Sequence, residues 1–185
     1  MCSTLMSVSP LCKNNGIMQK VHRYTKTNEH PSHSLLRVFN QAEYDSFRNK
    51  CFRERRTMGV GKSQNMNTLF RFWSYYLRTN TNAQMYTEFK FLAEEDSEMH
   101  YKYGSECLFR CWSYGLENEF SASMYSDFEH SVIRQYKYTN GMETYGLEKM
   151  WAFHYYRKDE RVIRVNDEIQ ALLDSNFTQK LESLL

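Results

Sequence analysis

Leu69-Phe70-Arg71-Phe72-Trp73-Ser74-Tyr75-Tyr76-Leu77-Arg78 decides how this chain is read, because the phrase returns twice. It comes back as Leu108-Phe109-Arg110-Cys111-Trp112-Ser113-Tyr114-Gly115-Leu116-Glu117. It comes back again, more loosely, as Leu147-Glu148-Lys149-Met150-Trp151-Ala152-Phe153-His154-Tyr155-Tyr156, so Trp73, Trp112 and Trp151 stand 39 residues apart. A fixed period of this size marks a repeat architecture. A second phrase keeps the same period: Met85-Tyr86-Thr87-Glu88-Phe89 recurs as Met124-Tyr125-Ser126-Asp127-Phe128. Each unit therefore holds two segments. No proline occurs between Ser32 and Leu185, and the glycines lie mainly at segment edges, so both segments are predicted to be helices.

A two-helix unit of this length falls in the range of HEAT-like repeats, and three such units can stack, each burying its apolar face on the next. The expected fold is all-α: three tandem HEAT-like helix–turn–helix repeats in a short solenoid, closed by a C-terminal capping helix. Residues 1–29 are polar and mixed and are expected to be a flexible N-terminal segment. The three-repeat domain is expected over 30–158, with units at about 30–80, 83–120 and 121–158. His30-Pro31-Ser32-His33 reads as a helix start. The first helix is expected over about 40–57, then a connector from Met58 to Ser63, with Asn67 as N-cap of the Trp73 helix. In 159–185, Ile169, Leu172, Leu173, Phe177 and Leu181 recur at helical spacing, which predicts a cap from roughly Asn166 to Leu185.

Composition narrows the function classes. No run approaches the ~18 apolar residues of a membrane span, and the N-terminus lacks the basic start and apolar run of a secretory signal. Five cysteines, an odd number without paired spacing, read as reduced thiols of a cytoplasmic protein, with Cys107 and Cys111 as small core residues. Gly61-Lys62-Ser63 resembles the end of a phosphate loop, but Arg56 stands where that pattern needs its first glycine. His30 and His33 lack a completing ligand set. Glu94, Glu95 and Asp96 have no second acid site opposite them. The chain is expected to be a monomer without enzymatic activity, cofactor or metal.

Placed on a helical wheel, Leu69, Phe72, Trp73 and Tyr76 share one face, while Arg71, Tyr75 and Arg78 share the opposite one. The second unit divides likewise, with Leu108, Cys111 and Trp112 inward and Arg110, Tyr114 and Glu117 outward. In the third, Leu147, Met150 and Trp151 are expected inward and Lys149, Phe153 and Tyr156 outward. Helices packed side by side would merge the outward triplets into one patch of cations and rings with a single acid, Glu117. Arg48, Lys50, Arg53, Arg55 and Arg56 form a second basic cluster on the first helix.

Rings interleaved with arginines suit nucleotides, since bases stack and phosphates pair with cations. A net charge of +2 argues against a general polyanion binder, so the positive charge is local, in this patch and in the second cluster. A carboxylate can accept from the two N–H groups on the Watson–Crick edge of guanine. Two tyrosines and a glutamate are what a pocket for cationic 7-methylguanine needs, because a charged base gains from electron-rich rings on either side. From the residues alone, a protein-docking stripe or a merely solvated face remains open, and an Arg110–Glu117 surface pair would be worth little.

The motifs themselves narrow this. Gly61-Lys62-Ser63-Gln64 with Asn67 to Ser74, Glu106 to Arg110, Ser113 to Glu117, Tyr145-Gly146-Leu147-Glu148-Lys149 and His30 to Leu36 together resemble the C-terminal triple-repeat (DM-fifteen) region of La-related protein 1. The resemblance covers about 30–158 in the same order and register. It implies binding to the 5′ 7-methylguanosine cap and first nucleotides of terminal-oligopyrimidine mRNAs. It further implies competition with the initiation cap-binding factor and translational repression under the TOR kinase pathway, whose proteins would be partners alongside translation factors. Residue by residue, it implies that Tyr114 and Tyr156 sandwich the methylated base, that Glu117 reads its edge and that Ser113 lines the pocket. Arg71, Tyr75, Arg78, Arg110 and Lys149 would hold the triphosphate and adjoining RNA. Tyr75 stands where the family often has phenylalanine, and Cys111-Trp112 replaces a family tyrosine pair on the inward side.

Overall fold

The computed structural model describes residues 39–178. The first helix pair is α1 (Gln41–Met58) and α2 (Gln64–Tyr76), the second α3 (Ala83–Glu98) and α4 (Tyr103–Asn118), and the third α5 (Ala122–Tyr138) and α6 (Tyr145–Tyr156). A short α7 (Asp167–Leu173) and one π-helical turn (Asp174–Thr178) follow. No strand occurs among the described residues. The fold is all-α and HEAT-like, as the 39-residue period predicts. α2, α4 and α6 pack directly on one another as an inner row, α1, α3 and α5 lie against them as an outer row, and α7 closes the far end on α5 and α6.

The two repeated phrases meet across units. Phe89 of α3 packs 5.5 Å from the Trp73 ring and 6.0 Å from Phe70. One period later, Phe128 of α5 packs 5.4 Å from Trp112 and 6.0 Å from Phe109. Each indole also finds a phenol in the outer row: Trp73 Nε1 donates to Tyr44 Oη at 3.0 Å, and Trp112 Nε1 to Tyr86 Oη at 2.9 Å. Rings of this size stabilise by about 1.5–3 kcal/mol each when fully buried, and both tryptophans are wholly buried.

Helix starts are set by side chains. Asn40, Ser63, Asn82, Ser121 and Asn166 each accept from a backbone N–H of the first turn. α4 and α6 have no side-chain cap. Their second residues are Gly104 and Gly146, and the Phe of the preceding unit lies against each. A Cβ there would come within 3.0 Å of Phe70 and 2.8 Å of Phe109, so only glycine lets these rings close the unit boundary.

Three expectations need correction. The N-cap of α2 is Ser63, not Asn67: Ser63 Oγ accepts from Met66 N at 3.0 Å and donates to Glu54 of α1 at 2.6 Å, which fixes the start one turn earlier. Asn67 instead accepts from Tyr101 Oη at 2.9 Å. Phe153 is buried, not outward, at 1% exposure against Tyr125; α6 carries apolar or aromatic side chains on most faces, so a wheel could not fix its orientation. Trp151 is only partly buried, because among the described residues no phenylalanine one period on covers it as Phe89 and Phe128 cover Trp73 and Trp112. Phe177 stacks on it instead, at 5.7 Å and 17°.

The capping segment does what its apolar spacing predicts, with Ile169, Leu173 and Phe177 buried, but as seven α-helical residues followed by a π turn to Thr178 rather than one continuous α-helix over 166–178. The expectations for 1–29, for His30-Pro31 and for Leu181 lie outside the described residues.

Candidate nucleic-acid interface

The 39-residue register places site residues at three levels along the inner row: Arg71, Arg110 and Lys149; then Tyr75, Tyr114 and Phe153; then Arg78, Glu117 and Tyr156. Because α2, α4 and α6 are direct neighbours, each level forms a short line across the molecule. The level of cations therefore runs beside the level of rings, and cations meet rings between levels. Arg78 lies between two tyrosines from adjacent units, its guanidinium carbon 4.4 Å from the Tyr75 ring and 4.5 Å from the Tyr114 ring. Its Nε donates to Ser74 O at 2.7 Å and its Nη2 to Ser74 Oγ at 3.3 Å. Burial pushes its pKa down, yet an arginine stays charged. Arg71 lies 5.8 Å from the Tyr75 ring on the other side and beside Tyr103, and its Nε is buried with no partner among the described residues.

Arg110 donates through Nε to Tyr145 Oη at 2.7 Å and through Nη2 to Glu106 at 3.1 Å. Lys149, expected to point outward, is only 6% exposed. Its ammonium rests 5.2 Å from the Tyr145 ring and 5.9 Å from the Tyr114 ring. Burial, then Arg110, holds its pKa below the usual lysine range.

Glu117 is half-buried. Burial raises its carboxyl pKa, while Arg78, Lys158 and Lys149 pull it back. Tyr114 and Tyr156 both have their phenols shifted up by burial, with Glu117 adding to each, so the three side chains lie near one another. Ser113 is 1% exposed. Ser74, one period earlier, is likewise buried.

Three residues near the site escape the wheel. Tyr145 and Tyr103 contact the cations from the N-terminal ends of α6 and α4, and Lys158 faces Glu117 from the segment after α6. Tyr145 was findable: it stands four residues before Lys149, on the same helical face, in the register position held by Asn67 and Glu106. Lys158 has no repeat partner to reveal it. The second basic cluster is partly neutralised, since Arg48 pairs with Glu88 at 2.5 Å and Arg55 with Asp96 at 2.5 Å.

A family model described as the LARP1 HEAT repeat region matches residues 30–182, across all three units and the cap. The chain belongs to this family. The match explains why one helical register recurs at 39 residues, and it places the LARP1 HEAT repeat description over every residue of the groove. No helix among the described residues is long and apolar enough to cross a membrane, and no cluster of His, Cys, Asp and Glu among them could hold a metal ion.

Proposed function

We propose that this LARP1 HEAT repeat region is a non-catalytic RNA-binding module of the cytoplasm. It takes the 5′ 7-methylguanosine cap and adjoining first nucleotides of terminal-oligopyrimidine mRNAs, and regulates their translation and stability by competing with the initiation cap-binding factor. The observation that carries this reading is Glu117, a half-buried acid set beside Tyr114 and Tyr156 at the end of a stripe of Arg71, Arg78, Arg110 and Lys149. A ring pair with a carboxylate suits a flat, cationic donor such as methylated guanine. The cations suit the bridging phosphates.

Fluorescence titration with 7-methylguanosine triphosphate and guanosine triphosphate tests this. The methylated ligand should bind at least about tenfold tighter, roughly 1.4 kcal/mol, and Glu117→Ala should remove the binding while leaving the helical circular-dichroism signal intact. Equal affinity for the two ligands rejects the reading.

A second reading, a helical-repeat docking module for translation or TOR-pathway proteins, draws on the opposite layer. There Phe91, Met99 and Tyr138 are more than half exposed. A groove of about 300 Å³ floored by Leu108 and Phe109 lies between α3 and α5.

A further inference from the structure

We propose that Arg78, Arg110, Lys149 and Tyr145 form a self-sufficient site for compact polyphosphate anions, able to hold inorganic triphosphate with no nucleoside attached, so that free polyphosphates compete with RNA for this groove. The inference rests on reading the groove as a phosphate-holding site, and adds that its phosphate end works without its base end.

Lys149 is the centre of the case. It is 6% exposed, and no carboxylate among the described residues lies within ion-pair distance of it. Its ammonium touches only the faces of Tyr114 and Tyr145. The charged groups that face it are Arg110 and Arg78, which repel it, and Glu148 and Glu117, which attract it more weakly than burial and Arg110 oppose it. A largely buried lysine whose accessible ammonium sits near two guanidinium groups is costly unless an anion joins them. A multivalent anion offsets all three charges at once, whatever organic group it carries.

Tyr145 is the positioning residue. Its Oη accepts from Arg110 Nε at 2.7 Å, and its ring meets Lys149 at 5.2 Å, so one side chain sets the spacing of two phosphate donors. The base-reading groups, Glu117 and Tyr156, stand seven residues further along α4 and α6, two helical turns from Arg110 and Lys149. Glu117 is level with Arg78 but two turns from Arg110 and Lys149, and its negative charge works against a polyanion.

The opposite signs expected at these positions make the test. Calorimetric titration of the full chain with inorganic triphosphate, and with sulfate at equal ionic strength, should show triphosphate binding at least tenfold tighter. Triphosphate should also displace 7-methylguanosine triphosphate. Lys149→Met should raise the melting temperature of the unliganded protein, because a buried unpaired charge is gone, and weaken triphosphate at least tenfold. Tyr145→Phe should keep the fold and weaken triphosphate several-fold. Arg110→Gln, at a more exposed position, gives the same loss if Lys149→Met fails to fold. Glu117→Gln should bind triphosphate as tightly as the parent or tighter, while losing preference for the methylated base.

Triphosphate no tighter than sulfate, binding indifferent to the Lys149 and Arg110 changes, or binding abolished by Glu117→Gln overturns the inference. Triphosphate that binds as described, alongside equal affinity for methylated and plain guanosine triphosphate, rejects the cap reading and supports this one. Tight methylated binding that triphosphate cannot displace does the reverse.

Discussion

Cys51, Cys107 and Cys111 are buried thiols, pushed by that burial up to about 12, 11 and 12. The thiolate is the reactive form, so these three should stay unmodified when the native protein meets iodoacetamide near neutral pH, and react once it is unfolded. Peptide mass spectrometry separates the two states, and labelling of Cys111 in the folded protein would contradict the burial. His154 runs the other way: burial, then Arg157, lowers its pKa from 6.5 to about 4 while its Nε2 shares a 2.9 Å hydrogen bond with Tyr125 Oη. A depressed histidine pKa means the unfolded chain binds the extra proton first. Stability is therefore full above pH 6.5 and falls as pH drops toward about 4, by up to about 1.4 kcal/mol per pH unit from this one group. Thermal melts across that window should show the fall, and His154→Gln should flatten it. The burial of Cys107 and Cys111 was legible from their place in the repeat, whereas that of Cys51 and His154 was not, because desolvation depends on what the other units bring against a side chain. Glu117, Tyr114 and the arginines were legible, since a register of identical helices fixes which side chains share a face. Phe153 and Lys149 were misplaced because α6 lacks a single polar face.

Between elements, the outer row is linked by side chains about one period apart. Arg48 meets Glu88, Arg55 meets Asp96 and Glu95, Lys90 and Tyr86 meet Asp127, and Arg134 meets Glu94. The Arg55–Asp96 pair is the most enclosed, with Asp96 at 1% exposure. Arg55→Ala should cost about 3–5 kcal/mol by leaving a buried carboxylate unpaired, readable as a lowered urea midpoint, whereas Arg134→Ala at the exposed rim should cost under about 1 kcal/mol. Gly146→Ala should cost about 1–3 kcal/mol through the Phe109 ring. The pairing of helices followed from the two co-periodic phrases. The early start of α2 and the brevity of α7 did not follow, since both depend on contacts with other helices that no local pattern encodes.

Across the whole molecule, stacking is one-dimensional: each unit touches its neighbours, and on its far side the last unit has, among the described residues, only α7 against it. Ile169 is fully buried in that cap, so Ile169→Ala should cost about 2–4 kcal/mol. Amide exchange should quicken in α5 and α6 well before α1 and α2. Uniform quickening would mean the stack opens as one body. Fold class and unit number were open to a reader of sequence because translation by 39 residues is a global property written locally. The ends were not, since a terminus has no copy of itself to be compared with. That same translation gives the Arg78 clamp a wider meaning. At the junction of the first and second units, the chain lodges its own flat cation between two tyrosines. One period on, the equivalent residue is Glu117, so the second junction carries a negative charge at the register where the first carries a flat cation. On the proposed reading the protein is its own ligand at one seam and borrows the matching piece from RNA at the next.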